Sequence, residues 1–121
     1  MKRHNYHNLV YFCLSIVWGA MIYYFSSIPD LKSGLDDYSD LIFRKAGHIF
    51  IYTILAYLLT KIFNKHQKPY LFFVAIVGII YAMTDEVHQL AITHRSGNIT
   101  DVLIDSLGVL LGILLFRFFR K

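Results

Sequence analysis

The chain has 121 residues, of which 56% are hydrophobic, and its mean hydropathy is +0.49. That length allows one domain, and the composition is too apolar for an ordinary soluble one, so a polytopic membrane protein is the expected class. The net charge is +4 and the isoelectric point near 9.2, yet the bases flank apolar runs instead of lining one polar face, which argues for charge-directed membrane topology and against a nucleic-acid partner.

In chain order, Met1 to His7 is short and basic and leads into an apolar run from Leu9 to Phe25. The run exceeds the ~7 to 15 residues of a signal h-region and has no A-x-A-like site after it, so it is read as a retained first span, 9–25. Cys13 lies within this run and reads as a small hydrophobe. Pro29 ends the span, because proline cannot continue the helical hydrogen-bond ladder. The polar stretch 31–43 holds Asp36, Asp37 and Asp40, and Ser33 with Asp36 resembles a capping box for a short interfacial helix. The remaining spans are expected at 44–63, 70–92 and 101–119, with a basic turn around Lys65 and Lys68 and a polar turn around Arg95, Gly97 and Asn98. Gly108 and Gly112 form a small-xxx-small pair that lets another helix approach the last span closely.

The distribution of bases predicts orientation. With both termini cytoplasmic, Lys2, Arg3, Lys61, Lys65, Lys68, Arg117, Arg120 and Lys121 lie inside, and only Lys32, Arg44, Lys45 and Arg95 lie outside. That bias is the positive-inside pattern. All the acids then fall in the outer half: Asp30, Asp36, Asp37, Asp40, Asp85, Glu86, Asp101 and Asp105.

Helical rise converts sequence distance into depth. His48 stands ~20 Å from Lys61, Asp85 ~26 Å from Lys68 and Asp105 ~18 Å from Arg117, each measured along its own helix. Against a hydrocarbon core of ~30 Å, all three enter one outer layer from three different spans. Ionisable groups at that depth are costly and need a partner, water or a function. Tyr81, Asp85 and His88 share one stripe, Glu86 and Gln89 a second, and Arg44, His48 and Tyr52 a third on the neighbouring span. Ser26 and Ser27 end the first span at the rim of the same layer.

These residues carry a family resemblance. Tyr81-Ala-Met-Thr-Asp85-Glu86-Val-His88-Gln89, followed by Arg95, by Asp101-Val and by Gly108 and Gly112, resembles the signature of VanZ-like proteins. Upstream, Phe25-Ser26-Ser27 and Arg44-Lys45-Ala-Gly-His48 with Tyr52 are similar to that family's first two motifs. Asn98-Ile99-Thr100 and Ser106 depart from the usual residues and leave the carboxylates in place. The resemblance implies a small multi-spanning protein of the bacterial cytoplasmic membrane. Its name-giving relative lowers susceptibility to the lipoglycopeptide teicoplanin without remodelling the peptidoglycan precursor.

Taken together, the expected architecture is an all-α bundle of four transmembrane helices with an outward-facing polar pocket that binds or modifies an outer-leaflet amphiphile. Asp85, Glu86 and His48 are the candidate catalytic groups, since desolvation tunes carboxylates and imidazole for acid–base work. Candidate binding residues are Arg44, Lys45 and Arg95 for an anionic head, Asp101 and Asp105 as holders of the bases, and Ser26, Ser27, Tyr52, His88 and Gln89 as lining groups. His48 and His88 with Asp85 or Asp105 offer zinc- or manganese-type ligands, but no H-E-x-x-H or comparable pattern is present, and no metal or other cofactor is expected. The expected partners are membrane lipids and a lipid-tailed ligand such as a lipoglycopeptide or an envelope lipid. The alternative is a non-enzymatic structural or interaction protein whose polar layer only locks helix packing.

Overall fold

Each of the four apolar runs forms one helix in the computed structural model, which describes residues 3–28, 36–63, 69–92 and 99–119. The helices are α1 (Arg3–Ser26), α2 (Asp37–Ile62), α3 (Pro69–Leu90) and α4 (Ile99–Phe119). Among the described residues 94% are helical and none is in a strand, so the class is all-α. The shortest helix has 21 residues, a length of ~32 Å, and all four are long and apolar enough to cross a ~30 Å hydrocarbon core. This is a membrane protein of four spanning helices.

The observed α2 starts seven residues before the expected 44. Asp36 is its N-cap, in extended geometry, and its carboxylate accepts from the Ser39 backbone N–H at 3.5 Å. Hydrogen bonds from the Ser39 side chain and backbone hold the Asp36 carboxyl below its ordinary range. The short interfacial helix expected beyond Ser33 is therefore continuous with α2 from Asp37 onward, and Ser33 itself lies outside the described residues. The other helices differ from the expected spans by frayed ends only: α1 begins six residues earlier and α3 stops at Leu90, with Ala91 and Ile92 closing in a turn.

Direction alternates along the chain, so one end of the bundle gathers Ser26, Asp37, Leu90 and Ile99, here termed the upper end. The opposite, lower end is aromatic: Tyr57 meets Phe116 edge to face, Phe63 meets Phe73, and the Lys61 ammonium lies 5.3 Å from the Tyr57 ring centroid and 5.6 Å from that of Phe116. The tightest helix pair is α2 with α4. Gly108 and Gly112 make it possible, because a Cβ on Gly108 would meet Ile49 O at 2.6 Å and one on Gly112 would meet Thr53 O and Ala56 Cβ. Across this seam the Thr53 hydroxyl shares its proton between Ile49 O at 2.6 Å and Gly108 O at 3.1 Å.

Helix α1 leans on α2, where the Trp18 indole donates to Ile51 O at 2.8 Å, and α3 leans on α4. In contrast, α1 and α3 meet only slightly. The space between them is a groove of about 530 Å³, floored by Leu55 and Leu59 of α2. Large apolar side chains such as Val17, Leu103, Leu107 and Leu114 point away from the bundle, as lipid-facing residues do. The buried set is mixed: Tyr52, Ala56, Val74, Ala82, Val109 and Phe116 stand beside Asp85, Glu86, Gln89 and Asp105.

Candidate functional site

About five to six residues below the upper ends of α3 and α4, or ~8 Å, the interior turns polar. His48 of α2, Asp85 and Glu86 of α3 and Asp105 of α4 each bring one nitrogen or oxygen to a common point, all four atoms within 4.8 Å of one another. The three acids are buried, Asp105 completely. Helical periodicity on α2, α3 and α4 sets this convergence, and the close α2–α4 seam closes it.

Asp85 is held from two sides. Ser26 of α1 donates to Oδ1 in a short contact, and the Tyr52 hydroxyl donates to Oδ2 at 3.1 Å. Gln89 Nε2 donates to Ser26 Oγ at 3.0 Å, so Ser26 relays from the amide to the carboxylate. Asp105 Oδ1 accepts from Nδ1 of His48 at 2.8 Å, while its buried Oδ2 has no hydrogen-bond partner among the described residues. The His48 and Tyr52 rings run nearly parallel, 10° apart, with centroids separated by 6.5 Å. Ionised carboxylates ~5 Å apart repel by roughly 3 kcal/mol per pair at an effective dielectric of ~20, a cost that a shared proton or a nearby positive charge lowers.

The bases are deployed differently from the sequence expectation. Arg44 is not placed at the four-residue cluster; its Nε lies 3.0 Å from Oδ2 of Asp40, itself buried, one turn back on its own helix. An i, i+4 pair needs no tertiary geometry, and Asp40 is the acid in the right register. Lys45 does cross to α4, where its Nζ meets Asp101 Oδ1 at 2.8 Å near the upper rim. Arg95 lies outside the described residues.

His88 also stands apart from the cluster, although it shares a stripe with Asp85. It stacks on Tyr23 of α1, with centroids 4.2 Å apart, and its Nε2 lies 2.8 Å from Ser27 Oγ. Residues three apart on a helix are displaced by ~4.5 Å along the axis, which lifts His88 to the rim. Tyr23 was missed from sequence because an aromatic near a span end reads as interfacial belt, yet its spacing to Ser26 and Ser27 at i+3 and i+4 carried the signal.

Directly below the cluster lies the groove. Phe12, Ser15, Ile16, Gly19, Ala20 and Tyr23 of α1 form one wall, and Val77 and Tyr81 of α3 the other. Tyr81 closes the join by donating its hydroxyl to Gly19 O at 2.5 Å. From Phe12 to Tyr23 the wall runs ~17 Å along the helix axis. The arrangement is thus a buried, acid-rich cluster stacked above an apolar groove, with Tyr81 between them.

The sequence comparisons agree with the motif reading. A family model described as VanZ/LLP1 matches residues 4–120. No curated protein and no solved structure gives a match.

Proposed function

The chain belongs to the VanZ/LLP1 family, and from that premise we propose that it binds, and in doing so positions for modification, an amphiphile of the outer leaflet of the bacterial cytoplasmic membrane. The observation that supports this reading is the stacking of the polar cluster above the apolar groove between α1 and α3, with Tyr81, one turn before Asp85, lining the groove. A head group with hydroxyl or amine donors meets Asp85 and Glu86, and its chain runs down past Ala20 and Leu59. Lys45 and His88 stand at the rim, where the head's acidic part enters. Lys61 and Arg117 near the lower end support an orientation in which that end and both termini are cytoplasmic and the chamber faces outward.

Lipid-tailed antibiotics such as teicoplanin and envelope lipids fit this geometry as a class: a polar head at interfacial depth and an alkyl chain in the bilayer. A sensitive Gram-positive host expressing the wild type is expected to tolerate more teicoplanin with unchanged tolerance of vancomycin. The gain is expected to vanish in Asp85→Asn and in Ala20→Leu, which fills the groove, while both proteins accumulate normally. A wild type that shifts neither antibiotic removes the resistance role. Mutants that keep the full shift remove the chamber and groove from the function.

A second reading has its own support, since Ser26, Tyr52, Gln89 and Asp85 satisfy one another without any ligand. In that reading the layer is a helix lock. It then follows that Asp85→Asn lowers thermal stability in step with any loss of function, whereas neutralising a functional acid leaves stability equal or higher.

A further inference from the structure

We propose that His48, Asp85, Glu86 and Asp105 form a binding site for one divalent first-row transition cation, zinc or manganese. The donor set is one imidazole nitrogen and three carboxylate oxygens, delivered by three helices to within 4.8 Å of one another. Ligand atoms on opposite sides of a six-coordinate ion lie ~4.2 Å apart at bonds of ~2.1 Å, so modest closure of these side chains brings four donors into the first coordination sphere and leaves two positions for water.

Two further observations point to a ligand and not merely to a group of acids. Asp105 is fully buried, and its Oδ2 has no hydrogen-bond partner among the described residues although Oδ1 is bonded to His48. A buried acceptor of that kind is expensive to leave unsatisfied, and a cation satisfies it. Asp85 is meanwhile oriented from outside by the Ser26 and Tyr52 hydroxyls, and a carboxylate keeps lone pairs for a metal while accepting two such bonds. Hydroxyls that aim a ligating carboxylate are the outer-shell arrangement of metal centres.

Charge and donor type select the ion. Arg44 and Lys45 form their ion pairs with Asp40 and Asp101, above the cluster, so neither of these pairs engages Asp85 or Asp105. The imidazole favours zinc or manganese over magnesium and calcium, which prefer oxygen alone. Cys13 is exposed on α1 and supplies no thiolate to the cluster. The inference shares Asp85 and Glu86 with the amphiphile reading but rests on the donor set, and the retained-metal count reads it whether or not the groove takes a lipid.

The test uses the full chain, purified in detergent, stripped with a chelator and titrated calorimetrically with zinc chloride, manganese chloride or magnesium chloride. Metal retained after desalting is counted by mass spectrometry. The wild type is expected to keep one equivalent of zinc or manganese, with magnesium at least ~10-fold weaker. His48→Gln and Asp105→Asn are expected to weaken binding by ~100-fold or more, and Tyr52→Phe, which removes only an orienting hydroxyl, by ~10-fold. Asp37→Asn, at an exposed acid in the first turn of α2, keeps wild-type affinity.

X-ray absorption at the zinc edge supplies a measurement that needs no variant to fold: nitrogen and oxygen scatterers only, with a single imidazole. Failure of the wild type to retain an equivalent overturns the site. So does binding that is equal in both cluster variants, or binding that disappears only when the N-terminal His4 and His7 are replaced by Gln.

Discussion

Gly112→Ala is expected to lower the stability of the bundle by up to roughly 2 kcal/mol, a large effect for one added methyl. The new Cβ meets Thr53 O and Ala56 Cβ, the latter at 2.8 Å, and it reaches Tyr57 N at 3.1 Å. Two of these three atoms belong to the α2 backbone and cannot rotate away, so α2 and α4 must separate. Overpacking of that kind costs ~1 to 3 kcal/mol and occasionally more, against ~1 kcal/mol regained from alanine's higher helix propensity. Separation also propagates upward, because the same seam holds His48 against Asp105. Gly47→Ala is the matched control. Nothing lies within 4 Å of a Cβ there, so it is expected to hold or raise stability by up to ~1 kcal/mol. Thermal unfolding of the detergent-solubilised proteins, followed by Trp18 fluorescence, compares the two. Equal melting temperatures for Gly112→Ala and wild type would remove the close seam from the account.

Asp105→Ala is expected to cost roughly 3 to 5 kcal/mol, the usual consequence of removing one partner of a buried pair. It leaves the Nδ1–H of His48 without its acceptor inside the bundle and opens a void where a fully buried side chain stood. Asp105→Asn keeps the shape and offers an amide oxygen to His48, so its loss is expected to be a small part of that. The comparison is made in chelator, which separates pair breaking from any cation. Near-equal losses would show that volume, and not the hydrogen bond, is what Asp105 contributes.

The spans were legible because each apolar run is long, bounded by proline or a basic or polar turn, and free of internal breakers. The start of α2 was less so. Asp36, Asp37 and Asp40 look alike in sequence, and only the backbone geometry at Asp36 distinguishes a cap from a loop residue. The polar layer followed from rise per residue alone, which is why His48, Asp85 and Asp105 could be placed at one depth without a structure. Partner choice did not follow. Arg44 takes its own-helix neighbour Asp40, and His88 leaves the acids for Ser27 and Tyr23, because the outcome depends on heights and rotations a few ångströms fine. The four-residue cluster has no motif, since its members come from three helices. The groove was invisible for a similar reason: it exists because α1 and α3 fail to pack, a property of helix placement and not of any residue.

Packing and chemistry are joined here through one seam. Glycines on α4 draw α2 close, closeness fixes His48 against Asp105, and α1, packed on α2 and barely on α3, supplies both the Ser26 contact to Asp85 and one wall of the slot. The close α2–α4 pair thus carries His48 and Asp105, and α3 brings Asp85 and Glu86 to them.

The most direct test of an amphiphile-binding groove is photolabelling of the full chain in liposomes containing phosphatidylglycerol with a diazirine near the end of one acyl chain. Labelled peptides are mapped by mass spectrometry. The account predicts enrichment at Phe12, Ile16 and Leu59 over the lipid-facing Leu103, Leu107 and Leu114, and loss of that enrichment in Ala20→Leu. Labelling that is uniform around the bundle and unchanged by Ala20→Leu would contradict it.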